Sequence, residues 1–191
     1  MNKTRSALKA GIKILQLRCK RFDDSSFLDL AHCLRRLTKN FGAAFIVNDR
    51  IDIAKLSKAD GVHLGQDDLP AAFARKILGK KAIIGKSAST IGQAIVAQDD
   101  LVDYIGFGPI FNTKTKKNQS GVGCLPLKQL AEEIKIPVFA IGGIDQKNLD
   151  MVLCAGGKRI AVSRAVFSKH NIQKTVKALN LRLSNDTIRF R

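Results

Sequence analysis

DYIGFGPIFNTKTKK, residues 103–117, passes from an apolar run to a polar one at Pro109. The lead-in carries Ile105, Phe107 and two glycines without polar alternation, as a strand buried on both faces of a parallel sheet does. The stretch from Asn112 to Lys117 is rich in donors and too irregular for a helical stripe. A soluble turn has this composition, and so does a loop that holds an anion through Thr113, Thr115 and Lys116. The residues at the ends of the other strands bear on the choice.

Working outward, short apolar and β-branched runs recur at 12–17, 43–48, 61–64, 81–86, 136–142 and 159–163. Between them lie helical patterns. SSFLDLAHCLRRLTKNFG has apolar residues three and four apart and a glycine stop, and DQKNLDMVLCAGG opens on an Asp cap and closes on glycine. Further helices fit 3–10, 51–58, 69–79, 90–99, 126–134 and 171–183. Strand and helix alternate throughout, which predicts an α/β fold. Seven strands suit an open doubly wound sheet or a (β/α)8 barrel short of one strand. The chain begins with a helix, so the strand absent from a barrel would be the first; the chain lacks it, or its start has been placed downstream. Residues 1–183 read as one domain and 184–191 as a basic tail.

Composition narrows the function classes. Hydrophobic residues make up 45% of the chain, yet no stretch reaches the roughly 20 apolar residues of a membrane span. The opening MNKTRSALKAGIK lacks the apolar run of a secretory signal, which predicts a cytoplasmic protein. Cys19, Cys33, Cys124 and Cys154 have no paired spacing, against a zinc site or a disulfide framework. His32, His63 and His170 form no sequence cluster. The net charge of +17 suits an anionic partner, but it is spread along the chain. With one tyrosine and no tryptophan, stacking platforms for bases are scarce, so nucleic acid is not expected as the main partner.

In parallel α/β folds the loops after the strands face one side and build the site. Every strand here ends in donors, carboxylates or glycines. Gln16, Arg18 and Lys20 alternate, so in an extended segment they point one way, as a diphosphate needs; pairing of the two cations with Asp23 is the plainer alternative. Asp49 and Asp68 end successive strands, which lie about 5 Å apart in a sheet, and two carboxylates so placed repel unless a cation such as Mg²⁺ lies between them. Asp67 competes with Asp68, and helix capping is open to either. Gly142-Gly143 lets a backbone approach phosphate, and Ser163-Arg164 ends the last strand beside it. The rim therefore suits two anionic groups, a diphosphate with Mg²⁺ and a monophosphate.

QLRCK, FIVNDR, DGVHLGQDD, IIGKSAST, DYIGFGPIFNTKTKK and IPVFAIGGI, in this order and spacing, resemble the motifs of the thiamin-phosphate synthase family over about residues 7–167. The resemblance implies a TIM (β/α)8-type barrel lacking its first strand. It also implies a transferase that joins 4-amino-2-methyl-5-(diphosphomethyl)pyrimidine to a thiazole phosphate, with or without a carboxylate, by Mg²⁺-assisted dissociative loss of diphosphate. By motif, Gln16, Arg18, Lys20, Asn48, Ser87 and Lys116 would hold the pyrimidine diphosphate, with Ser87 and Lys116 the catalytic pair. Asp49 and Asp68 would bind Mg²⁺; Thr113, Thr115, Gly143, Ser163 and Arg164 would hold the thiazole phosphate. Cys19 stands where the family has an acid and should face away from the anion, and Arg164 stands where many members have serine. The absent strand would leave an open seam that a second copy could cover. Two other readings are a thiazole tautomerase-like enzyme, which lacks the paired aspartates, and a barrel that binds phosphorylated ligands or RNA without catalysis.

Overall fold

The computed structural model describes residues 1–19, 22–113 and 120–183. The elements run α1 (Asn2–Lys9), β1 (Ile14–Leu17), α2 (Asp24–Asn40), β2 (Ala44–Asn48), α3 (Ile51–Leu56), β3 (Gly61–Leu64), α4 (Ala71–Leu78) and β4 (Ile83–Ala88). They continue with α5 (Ile91–Asp99), β5 (Tyr104–Phe107), α6 (Leu125–Glu133), β6 (Val138–Ile141), α7 (Leu149–Cys154), β7 (Ile160–Ala161), α8 (Arg164–Phe167) and α9 (Ile172–Arg182). Lys20, Thr115, Lys116 and the tail at 184–191 lie outside the described residues.

The seven strands pair in parallel in simple chain order, β1 through β7. A doubly wound sheet reverses its winding at a switch point, so its strand order cannot equal its chain order. Sequential order is that of a barrel. The sheet curls far enough for the helices at its two edges to meet: α1 packs on α9, Lys3 Nζ donates to the Phe167 carbonyl at 2.9 Å, and Asn180 donates to the Ala10 carbonyl at 3.4 Å. Among the described residues, β1 and β7 each have one neighbour strand. The described residues thus form a (β/α)8-type barrel with no strand among them between β7 and β1.

One apolar cluster joins the strands to their helices, with Phe45, Val62, Leu64, Ile84, Ile105 and Phe107 all but completely buried. Inside the curl, small and large residues alternate. A Cβ on Gly85 would collide with the ring of Tyr104, and one on Gly106 would come within 3.0 Å of His63. The glycines of β4 and β5 therefore clear space for two side chains that fill the interior.

At the opposite end of the strands one device occurs twice. Asp60, just before β3, takes Arg35 of α2 at 2.7 Å and the Phe45 N–H of β2 at 2.8 Å. Asp103, just before β5, takes Arg75 of α4 at 2.7 Å and the Ile84 N–H of β4 at 2.7 Å. Each aspartate ties a helix to the start of the preceding strand.

Most elements fall within about two residues of the sequence reading, and two strands depart from it for a visible reason. The fourth strand spans 83–88 rather than 81–86, because Gly79 closes α4 with a φ of 94° and Asp103 pins the strand's start at Ile84. The seventh is only Ile160–Ala161, since the chain turns at Ser163 into the short α8, which the sequence did not announce.

Candidate functional site

Polar groups collect at the C-terminal rim. Asn48 closes β2 and is buried, and Asp49 comes next with a φ of 65°. The Asp49 N–H donates to the His63 carbonyl at 2.8 Å, which anchors Asp49 to the neighbouring strand β3. Just past the end of β3, Asp68 Oδ2 accepts the Gly65 N–H at 2.6 Å. Both carboxylate-bearing residues are thus fastened to the exit of β3. The Asp68 bond occupies one of its oxygens and leaves Oδ1 outside it. Among the described residues no group of three or more His, Cys, Asp or Glu could hold a metal. Two carboxylates with further oxygens from a phosphorylated ligand or water are what Mg²⁺ accepts, so the donor set fits that ion.

Arg50, next in sequence, is committed elsewhere. Its guanidinium forks onto Asp52 at 2.9 and 2.6 Å and reaches Asp24 at 2.6 Å, and this pairing holds the Asp52 carboxyl below its ordinary range. Asp23, weighed as a partner for Arg18 and Lys20, instead caps α2 by accepting the Ser26 N–H at 2.9 Å. Gln16 and Arg18 are exposed, and Cys19 packs towards the apolar cluster, away from them. Lys20 lies outside the described residues.

On the far side of the rim the exits of β5 and β6 lie against one another. Ile110 N–H donates to the Ile141 carbonyl at 2.8 Å and Phe111 N–H to that of Gly142 at 3.1 Å. Gly143, at a φ of 68°, sits so close to this segment that a Cβ there would meet the Asn112 carbonyl at 2.8 Å. Thr113 and Gly143 therefore share one corner, while Thr115 and Lys116 of the same loop lie outside the described residues. Ser163 precedes α8 without a side-chain capping bond and Arg164 opens the helix, at the exit of β7 beside β6.

Between the two halves stands Ser87 on β4. Its carbonyl takes Gln66 Nε2 at 2.5 Å, and its hydroxyl lies 2.9 Å from His63 Nε2. His63 Nδ1 lies 2.9 Å from the Tyr104 hydroxyl, to which the Gln16 side chain also bonds. Tyr104 meets Phe139 edge-on at 5.4 Å. Burial pushes the Tyr104 phenol well above its ordinary range, against the smaller opposing effect of Gln16. Sequence reasoning missed His63 and Tyr104 as site residues. The available signal was polarity out of place: a histidine and the sole tyrosine in otherwise apolar strands.

The family model described as thiamine monophosphate synthase matches residues 1–166. The chain belongs to that family. A thiamine-phosphate synthase of Gloeobacter violaceus is 45% identical over 169 residues, covering 88% of this chain and 50% of its own. The chain spans about half the length of this and several other curated relatives. One from Clostridioides difficile is 38% identical, with 93% of this chain and 84% of its own covered. Among solved structures, thiamine phosphate pyrophosphorylase from Pyrococcus furiosus superposes with a TM-score of 0.87 at 35% identity, over 94% of this chain and 87% of its own. A 3-hexulose-6-phosphate synthase, 14% identical with a TM-score of 0.63, shares the fold. For this thiamine monophosphate synthase family member, the sequential barrel order and the family assignment thus agree.

Proposed function

We propose that this chain is a thiamin-phosphate synthase, a transferase that couples 4-amino-2-methyl-5-(diphosphomethyl)pyrimidine to thiazole phosphate and releases diphosphate. The observation that carries the reading is the fastening of Asp49 and Asp68 to the exit of one strand, β3, opposite the Thr113–Gly143 corner. That arrangement suits one doubly charged anion on each side of a reacting carbon. A tautomerase-like site has no use for the paired carboxylates.

In this reading Gln16, Arg18, Lys20, Asn48 and Lys116 hold the pyrimidine diphosphate, and Ser87 and Lys116 face the reacting bond. Thr113, Thr115, Gly143, Ser163 and Arg164 hold the thiazole phosphate. Asp49 and Asp68 would hold Mg²⁺, which neutralises charge developing on the leaving diphosphate. The bond between the methylene carbon and the diphosphate oxygen breaks with its electron pair going to diphosphate, and the thiazole nitrogen lone pair then closes on the carbon. The cations of the rim stabilise the departing charge, so no general base is required. We place the protein in the cytoplasm: its four cysteines are free, and no helix among the described residues is long and apolar enough to cross a membrane.

The test is a coupling assay on this chain, with both substrates and Mg²⁺, thiamin phosphate being quantified alongside circular dichroism. Mg²⁺-dependent product is expected. A folded sample that makes none would overturn the reading.

A further inference from the structure

The interior of the barrel holds a run of polar side chains that no apolar core requires. It begins at Gln16 on β1, crosses to Tyr104 on β5, continues to His63 on β3 and ends at Ser87 on β4. Tyr104 and His63 are buried, and the two interior glycines fix where their rings lie: Gly85 beneath Tyr104 and Gly106 beneath His63. The two ends, Gln16 and Ser87, face the rim.

We propose that Gln16, Tyr104, His63 and Ser87 form one directed hydrogen-bond chain that presents the Ser87 hydroxyl to the site as a donor. His63 is then a positioning residue that selects an acceptor atom, a ring nitrogen or a diphosphate oxygen, on the bound pyrimidine diphosphate. The ligand's identity and the direction of the chain rest on the synthase reading; the contacts that link its members do not.

Hydrogen counting allows two directions, and an anionic ligand selects between them. A phenol has one proton to give, and a neutral imidazole has one donor and one acceptor nitrogen. In the proposed direction the amide N–H of Gln16 donates to the phenol oxygen, which leaves the phenol proton for His63. The phenol, which burial keeps protonated, then gives its proton to His63 Nδ1, 2.9 Å away. The imidazole proton therefore sits on Nε2 and is given to Ser87 Oγ. Ser87 has its own proton left, and with its carbonyl held by Gln66 the strand end cannot swing away. In the reverse direction Ser87 would spend its proton on His63 and meet the ligand as an acceptor, which a diphosphate oxygen would repel.

The tautomer of His63 decides between the directions. In the variant H32Q/H170Q, which removes two exposed histidines, His63 is the only one left, and long-range ¹H–¹⁵N correlation of ¹⁵N-labelled protein reads its tautomer directly. The Nε2–H form is expected; the Nδ1–H form would overturn the proposal. A second arm uses the coupling assay. Tyr104→Phe and Ser87→Ala should each raise KM for the pyrimidine diphosphate about three- to tenfold, the worth of one hydrogen bond, with KM for thiazole phosphate unchanged. The double variant should do no more than Ser87→Ala, because both act through one hydroxyl. Additive effects, or an equal rise in both KM values, would reduce His63 and Tyr104 to core residues and sink the positioning role. The Nε2–H form in a chain that makes no thiamin phosphate would uphold the directed chain while overturning the synthase reading.

Discussion

Asp49 has a backbone conformation that few residues other than glycine adopt, with a φ of 65°. Asparagine and aspartate tolerate that region far better than alanine. This makes Asp49→Asn the informative variant, since it removes the charge and keeps the backbone. If Asp49 holds Mg²⁺, turnover should fall at least about a hundredfold, because metal stabilisation of a leaving group is worth several kcal/mol. Stability should stay within about 0.5 kcal/mol and thiazole-phosphate binding should be unaltered. Unchanged Mg²⁺-dependent turnover, measured at saturating substrates, would remove Asp49 from the metal site. The sequence made Asp49 and Asp68 legible because each comes after a strand and needs only local pattern to be found. It could not reveal the bonds that fasten them, to a carbonyl of β3 in one case and a loop N–H in the other. His63 and Tyr104 were invisible for a different reason. A lone histidine in an apolar strand reads as core, and its partners lie on β4 and β5, brought near only by pairing.

Among the elements, the aspartates at the strand starts organise helix against sheet. Asp103 has only 9% of its side chain exposed and Arg75 has 27%. Asp103→Ala removes the carboxylate partner of Arg75, which keeps its bonds to the Lys80 and Ala82 carbonyls, and leaves the buried Ile84 N–H without its acceptor, so a loss of about 2–3 kcal/mol is expected. Asp60→Ala should cost distinctly less, since Asp60 and Arg35 are 30% and 27% exposed and water replaces part of the pair. Urea denaturation of the two variants checks the order, and equal losses would mean that burial does not set the strength of the brace. Gly85→Ala belongs at the same scale. The added methyl would overlap the Tyr104 ring, and overpacking of this kind costs about 1–3 kcal/mol, readable in the same experiment. Most helices and strands were legible from apolar spacing and glycine stops. The shift of β4 was not, because a brace from Asp103, nineteen residues beyond Ile84, sets where that strand starts. The polar loop beyond β5 was legible only in part: Thr113 joins the Gly143 corner, while Thr115 and Lys116 lie outside the described residues.

At the scale of the whole molecule, the choice between an open doubly wound sheet and a barrel was undecidable from residue pattern, since both bury parallel strands between helices. It depends on which strands pair, and the order β1 to β7 resolves it. Among the described residues, β2 to β6 are hydrogen-bonded on both edges, whereas β1 and β7 are bonded on one. What holds the curl across that gap is the packing of α1 on α9, with Ala7, Ala10, Val176 and Leu179 buried in the common apolar cluster. Amide exchange should report this division. Amides of β3, β4 and β5 should exchange at the rate set by global unfolding, and those of β1 and β7 at least about tenfold faster, through openings some 1.4 kcal/mol cheaper. Leu179→Ala, expected to cost about 2–5 kcal/mol as a buried truncation, should widen the difference if the clasp is what steadies the edges. Hydrogen-exchange mass spectrometry with peptides covering each strand makes the comparison. Equal protection in β1, β4 and β7 would mean that the two edges are covered in solution, and a doubled mass by sedimentation in the same buffer would identify a second copy as the cover. Fast exchange at both edges from a monomer would leave the α1–α9 clasp as the closure of the barrel.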